Sequence, residues 1–579
     1  MDQRQVSRVF AEIAEMMELA GENRFKIRAY ENAAQTLAGF PGDLAEAVQS
    51  GKLRGLKGVG DKISAQVQTL LATGRLPLHE ELRARFPEGL RDCLGVPGLG
   101  ASKVRLLHET LGIDSLETLE TACRDGRLLT VAGFGTKSVE KILRGIATRR
   151  AGTSFHRFHR AWTRARELVS ALETSRLVSR VEIAGSLRRR RELARDIDLV
   201  AAAPDPEALR AAFSSLPGVE ATVESSPAYS RVLLAGGMAA DLFTVSEERF
   251  GATLLRATGT SEHWSILSTE AARMELELGE NGLVTSGARD KIGRSEQEIY
   301  ARLGMSWIPP ELREGSGEIE AARNGSLPRL VTVEDLRGLI HVHTTDSDGR
   351  DTLEGMLDAV RAAGYGYVAI TDHSQSATYA HGMSTDRALL QRARLRALAG
   401  RHSDLRVFHG TEADILADGS IDYGDAFLEG FDLVVASVHS RFGLSREEQT
   451  RRLVRAVQNP WVSVLGHPSG RLLLSREPFS ADWEAVFEAA GRSGCAIEFN
   501  CNPERLDLDW RLCRQAIEAG VLLSIGPDAH SAAEVLRVVD GVEIARKGWV
   551  TAASVLNAKS AAELEEWLAR RRGKPLPKS

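Results

Sequence analysis

Between residues 339 and 530 the chain repeats one arrangement: a short apolar strand, a histidine or acid at its end, then a helix. The strands are "LIHVH" (339–343), "YVAITDH" (367–373), "LRVFHGTE" (405–412), "LVVASVH" (433–439), "WVSVLGH" (461–467), "CAIEFN" (495–500) and "VLLSIGPDAH" (521–530). Strands separated by helices pair in parallel and are covered on both faces, so seven of them predict a β/α barrel. In a barrel of this type the C-terminal rim carries the chemistry, and that is where these histidines and acids fall. One strand-end histidine is more often a packed or solvated residue than a ligand. Its recurrence on almost every strand is hard to read that way. Strand alternation sets His341 and His343 on one face, so both reach one cluster. Imidazole and carboxylate donors together suit manganese, zinc or iron better than magnesium.

The first 150 residues obey different rules. Helices are joined by Gly-rich turns, and one pattern occurs three times: "LKGVGDKISAQV" (56–67), "VPGLGASKVRLL" (96–107) and "VAGFGTKSVEKI" (131–142). A Gly-x-Gly hairpin turns backbone N–H groups outward at the start of the second helix, forming a seat for a phosphate. Such a contact reads the nucleic-acid backbone and not the bases. A single Gly-x-Gly is equally a plain turn. Three, each followed by a lysine, predict helix-hairpin-helix DNA binding through Gly58, Gly60 and Lys62, Gly98, Gly100 and Lys103, and Gly133, Gly135 and Lys137.

Between these regions, "GSLRRRRELARDIDLV" (185–200) combines a small turn, four arginines and two strand aspartates. Alternation puts Asp196 and Asp198 on one face, roughly 7 Å apart. A third acid, Asp241, lies in the similar strand "AADLFTV" (239–245). If the two strands are neighbours, three carboxylates converge into a ligand set for two magnesium or manganese ions that grip a triphosphate and a 3′-hydroxyl. Read blandly, "DID" is an edge strand with solvated acids and the arginines are a solvated helix face.

Gly-Ser-x-Arg-Arg followed after six residues by Asp-x-Asp resembles the signature of family X DNA polymerases, within the nucleotidyltransferases. The resemblance extends from residue 1 to about 320, through "NRFKIRAYENAAQTL" (23–37) and "WIPPELRE" (307–314). It implies that Asp196, Asp198 and Asp241 are catalytic metal ligands and that Gly185, Ser186, Arg189 and Gly259 bind the nucleotide. This sequence departs from the family pattern at Arg256-Ala257 before Thr258-Gly259, at Trp264 and at Arg195; Gln66 stands where some relatives carry a lyase lysine. The C-terminal part, from about 335, resembles the polymerase and histidinol phosphatase (PHP) domain family. Its motifs match at His341, His343, Asp348, His373, Glu412, His439, His467, Asp528 and His530, which implies two or three ions; Arg505 is a candidate phosphate contact.

The fold class expected is multidomain, α+β and α/β. A small helical domain (1–85) and a fingers-like helical domain (86–155) precede a nucleotidyltransferase palm (156–246) and thumb (247–315). A linker (316–334) leads to a distorted (β/α)7 PHP barrel (335–579). The function expected is DNA repair. A polymerase would fill short gaps in gapped, nicked or primer-template DNA from deoxynucleoside triphosphates. The barrel would act as 3′–5′ exonuclease, 3′-phosphatase or abasic endonuclease. Three other readings stay open: a DNA-docked nuclease with lost polymerase activity, a non-catalytic DNA-binding scaffold, and a small-molecule phosphatase with a regulatory N-terminal half. The net charge of −5 leaves nucleic-acid contact to local basic patches, and five scattered cysteines without a CxxC pair argue against a disulfide framework and a thiolate zinc site. No apolar run reaches the ~18–20 residues of a membrane span, and the start lacks a signal peptide's apolar core. A cytoplasmic monomer is the expectation.

Overall fold

Seven parallel strands run in chain order around the C-terminal part of the computed structural model. They are β6 (Gly338–Val342), β7 (Tyr367–Ile370), β8 (Arg406–Asp414), β9 (Leu433–Ser437), β10 (Val464–Leu465), β11 (Ala496–Asn500) and β12 (Leu523–Gly526). Apart from Arg406 at the start of β8, every residue in these strands is buried, as expected of strands covered on both faces. The first and last strands meet at their C-terminal ends, where Val342 bridges Ala529 and the His343 N–H donates to the Ala529 carbonyl at 2.9 Å. The structure describes residues 3–38, 44–49, 53, 59–86, 88–94, 96, 99–279, 282–285, 291–399 and 404–573. Gly58 and Gly98 lie outside the described residues.

The chain divides into two units, Met1–Ser154 and Phe155–Ser579. Among its described residues the first forms helices and no strand. Its opening helix, Gln3–Ala20, buries Val6, Phe10, Ile13 and Met17, spaced by three or four residues as one helical face requires. These side chains share a continuous core with Val67, Leu82, Val104, Leu119 and Ile142. The two small domains expected on either side of residue 85 are therefore packed around one core.

After the helix Phe158–Thr174, the second unit forms a five-stranded sheet of order β1-β2-β5-β4-β3. Its strands are β1 (Arg180–Ile183), β2 (Asp196–Ala202), β3 (Val219–Ser226), β4 (Tyr229–Leu234) and β5 (Met238–Val245). Strands β2 and β5 pair in parallel and set Asp198 opposite Asp241; the other pairs are antiparallel. Helices Phe250–Thr258, Ser261–Arg273 and Glu296–Arg302 and a small antiparallel sheet follow. The stretch 316–334, expected as a linker, is packed. Glu318–Arg323 is helical, Glu318 is buried against His263, and the Val331 N–H donates to the Val550 carbonyl at 2.9 Å. Its Pro, Gly and Ser content marks turns at the surface of a joint that also buries Ile319, Leu330 and Val331.

Candidate active sites

The aspartate site is built on two adjacent strands. Asp196 and Asp198 share a face of β2, and Asp241 projects from β5 in register with Asp198. Burial and the neighbouring charges of Asp196 and Asp241 push the Asp198 carboxyl up to about 7. Burial also raises Asp241. Strand β4 supplies a cation between the acids. Arg231 lies 3.2 Å from Asp196 Oδ2 and 3.5 Å from Asp241 Oδ1, and the Tyr229 hydroxyl donates to Asp241 at 2.9 Å. Among the described residues, the carboxylates of Asp196, Asp198 and Asp241 do not form one group with ligand atoms within 4.8 Å of one another. Three acids on one face, one of them held up by the other two, still fit a divalent cation, because a dication would relieve the repulsion that Arg231 only partly offsets.

Gly185 is required by the same geometry. Its φ is +62°, and a Cβ there would lie 1.8 Å from Asp198 Oδ2. Beyond it the four arginines are not a solvated face: each pairs with an acid. Arg188 binds Glu296 at 2.6 Å, Arg189 binds Glu314 at 3.1 Å, Arg190 binds Glu543 at 3.0 Å and Arg191 approaches Glu314 at 3.6 Å. Arg189 Nη1 also donates to the Thr258 carbonyl at 2.6 Å, so it reaches the Thr258-Gly259 turn. Arg256 lies over the Trp264 ring at 5.1 Å, so two of the departing positions stack on each other.

The barrel brings all nine candidate ligands together. Four overlapping groups have ligand atoms within 4.8 Å of one another: His343, Asp348, His373 and His530; His341, Glu412 and His467; His341, His343 and Asp528; and His373, Glu412 and His439. Glu412 is central, with oxygens 2.8 Å from His467 Nε2, 3.1 Å from His373 Nδ1, and 3.3 Å from both His341 Nε2 and His439 Nε2. His341 Nε2, both His343 ring nitrogens, His373 Nδ1 and His467 Nδ1 are buried without a hydrogen-bond partner. Orphaned imidazole nitrogens beside carboxylates are costly unless a cation accepts their lone pairs. Burial, chiefly, pushes His343 and His467 down to about 3, which leaves them as the neutral imidazoles that ligate metals. Groups that share His341, His343, His373 and Glu412 fit a site of more than one ion.

Other residues orient these candidate ligands. Glu498 accepts from His341 Nδ1 at 2.6 Å and from the His467 N–H at 2.6 Å, and Asp414 holds His439 Nδ1 at 2.6 Å. Carboxylates in this position fix the tautomer and ring orientation of a ligand. Asp372, at a strand end like the ligands, instead accepts from Thr344, Ser347 and Gln391 and pins the loop that carries Asp348. Simple alternation does not account for the His341–His343 pair. The register shifts between Ile340 and Val342, and His341 has φ +77°. His467 and Asp528 also adopt positive φ, +22° and +50°. Strain of roughly 1–3 kcal/mol at each such residue persists only where the surroundings over-determine it, as at ligand clamps. Arg505 Nε is 3.7 Å from Asp528 Oδ2. Tyr379, largely exposed, has its ring 6.1 Å from His373 and 6.0 Å from His439. His381 is exposed, and His409 is buried against Phe431; neither joins the cluster. His402 lies outside the described residues.

In the helical unit, Gly60 and Gly100 precede the helices Asp61–Thr73 and Ala101–Leu111, and Gly135 precedes Thr136–Ser154. A Cβ at Gly60, Gly100, Gly133 or Gly135 would meet nothing within 4 Å, so the backbone there is open to an approaching group. Lys62, Lys103 and Lys137 are exposed in the first turns of these helices, and Lys103 Nζ lies 5.6 Å from the Phe134 ring. Among the described residues no helix is long and apolar enough to cross a membrane.

Known proteins share these parts. Residues 1–76 match the family described as Helix-hairpin-helix domain, 90–148 that described as SAM-like Helix-hairpin-helix tandem, and 253–314 that described as DNA polymerase beta thumb. The chain is 34% identical over 575 residues to the DNA polymerase/3′-5′ exonuclease PolX of Bacillus subtilis (strain 168), across 98% of this chain and 100% of that protein. Its C-terminal part is similar to smaller proteins. A probable phosphatase of Thermoanaerobacter sp. (strain X514) is 26% identical over 235 residues, 37% of this chain and 93% of that one. A probable phosphatase of Caldicellulosiruptor saccharolyticus is 29% identical over 209 residues, 34% of this chain and 81% of that one. The B. subtilis match takes in the hairpins, the aspartate sheet, the thumb and the barrel alike, and the chain belongs to the family of the bacterial DNA polymerase/3′-5′ exonuclease PolX.

Proposed function

We propose that this protein is a DNA repair enzyme with two active centres, a gap-filling DNA polymerase and a metal-dependent 3′–5′ exonuclease that also removes 3′-terminal phosphates and cuts at abasic sites. The observation that carries the reading is the convergence of nine ligands into overlapping groups at one barrel rim, in a chain similar to PolX along its whole length. The hairpins of the helical unit hold gapped, nicked or primer-template DNA by its backbone, through Lys62, Lys103, Lys137 and the open glycine turns. At the palm, Asp196, Asp198 and Asp241 would hold two magnesium or manganese ions, and Gly185, Ser186, Arg189 and Gly259 receive the deoxynucleoside triphosphate. The ions supply charge neutralisation for the triphosphate and lower the pKa of the 3′-hydroxyl. Gly185 lets the phosphate-binding turn close onto Asp198, and Arg231 balances the acids until the substrate arrives.

At the barrel, His341, His343, Asp348, His373, Glu412, His439, His467, Asp528 and His530 would hold two or three manganese, zinc or iron ions, which supply an activated water and a clamp for the phosphate. Glu498 and Asp414 keep His341 and His439 aimed. Arg505 offers positive charge to a phosphodiester bound beside Asp528. We place the enzyme in the cytoplasm as a monomer. Asp198→Ala should abolish primer extension on gapped DNA and spare 3′-end hydrolysis; His341→Ala should do the reverse. If either substitution abolishes both activities while melting is unchanged, the two-centre reading is wrong.

A further inference from the structure

The phosphate-binding turn of the polymerase centre is gripped from outside the palm. Lys547 follows the helix Arg537–Ala545 in the part of the chain that builds the barrel, and its side chain is fully buried. Its Nζ donates to the Arg189 carbonyl at 2.8 Å, to the Glu311 carbonyl at 3.3 Å and to Glu314 Oε1 at 2.6 Å, and lies 4.4 Å from the Trp510 ring. Further along the same turn, Glu192 accepts from Trp510 Nε1 at 3.0 Å and from Arg511 Nη1 at 2.9 Å.

Glu314 is the pivot. Its carboxylate is shared by three cations, Lys547, Arg189 and Arg191. A carboxylate so shielded from water, with only Arg189 and Arg191 for partners, would draw on the charge that Arg189 is assigned to give to a triphosphate, because opposite charges at this range interact strongly away from water. Lys547 supplies Glu314 with a separate partner. Burial brings the Lys547 ammonium down to about 8 against the pull of Glu314, so it is charged at neutral pH.

We propose that Lys547 is a positioning residue for nucleotide incorporation: by neutralising Glu314 and holding the Arg189 carbonyl, it keeps the Arg189 guanidinium available to the incoming triphosphate. Through this contact the hydrolase half of the chain sets the nucleotide affinity of the polymerase half. The inference rests on the assignment of Arg189 to the triphosphate.

The test is steady-state single-nucleotide gap filling, with 3′-end hydrolysis and melting temperature measured on the same full-length preparations. Lys547→Met should raise KM for the deoxynucleoside triphosphate roughly tenfold, with a smaller change in kcat and no change in hydrolysis. Lys547→Met combined with Glu314→Gln should bring KM back to within about threefold of wild type, since the unbalanced charge is gone. A purely structural role predicts that the double variant is at least as impaired as the single one. Glu314→Gln alone, which does not depend on Lys547→Met folding, should leave KM at or below the wild-type value; a rise there overturns the proposal. An unchanged KM in Lys547→Met alongside a raised KM in Arg189→Ala also overturns it and leaves the triphosphate assignment standing. An unchanged KM in Arg189→Ala overturns that assignment and the inference with it.

Discussion

Gly185→Ala is the sharpest probe of the polymerase centre, because one methyl group tests a close approach that only the tertiary structure creates. Gly185 has φ +62°, and an added Cβ would sit 1.8 Å from Oδ2, 2.6 Å from Cγ and 3.0 Å from Cβ of Asp198. Real Cβ contacts essentially never fall under 3.0 Å, so the Asp198 carboxylate or the Gly185 turn must give way, by ~1 Å. The left-handed backbone adds ~1–2 kcal/mol for an alanine. That strain alone is a fraction of a ~5–15 kcal/mol folding stability, so the protein should still fold. The catalytic effect is larger: a displacement of ~1 Å at reacting groups can cost on the order of 100-fold. Single-nucleotide gap filling should fall by about two orders of magnitude, with 3′-end hydrolysis at the barrel unchanged and a melting shift of only a few degrees. Extension within about threefold of wild type would show that Asp198 can move at no cost to the reaction, and would refute its placement as a catalytic ligand.

Other parts of the structure give equally direct tests. Glu498→Gln weakens the hydrogen bond that aims His341, so metal affinity at the barrel should drop roughly 10–100-fold in a chelator competition; unchanged metal content would remove Glu498 from that role. Burial opposes ionisation of Glu192, yet Arg511 and Arg471 hold its carboxyl at about 2 against a usual 4.5. A depressed folded pKa means stability that is present above 4.5 and lost as pH falls toward 2, at most about 3 kcal/mol. Urea unfolding of wild type and Glu192→Gln should therefore show a gap at pH 7 that narrows below pH 4.5, and a gap independent of pH would contradict it. Lys103→Ala and Lys137→Ala should each weaken binding of gapped duplex uniformly across sequences and lower the log–log salt slope by ~0.9; an unchanged slope would take that lysine off the phosphate.

Much of this was readable in the chain itself. Alternating apolar strands and helices with a ligand at nearly every strand end dictate a parallel barrel, because only that packing covers both faces of such strands and gathers their ends. The nine candidate ligands could all be named from the sequence and its family resemblance, and the structure groups their ligand atoms at the barrel rim. The three Gly-x-Gly turns and the two aspartate strands were legible for a similar reason: each is a local pattern with a local physical cause.

What the sequence did not contain is pairing between segments distant in the chain. Arg231 enters the aspartate site from a strand more than thirty residues away, and no spacing rule connects it to Asp196. The bulge at His341 and its positive φ sit where the barrel closes against Ala529, whereas alternation alone suggested a regular strand. The arginine run that could pass for a solvated face is partly buried and paired because Glu296, Glu314 and Glu543 arrive from three distant parts of the chain. The sequence by itself determined which residues are the candidates for the chemistry, since residue type and element periodicity are written locally. The tertiary structure alone decided which charge faces which, because Coulomb partners are chosen by position in space, and there a lysine near the C-terminus meets the turn that begins at Gly185.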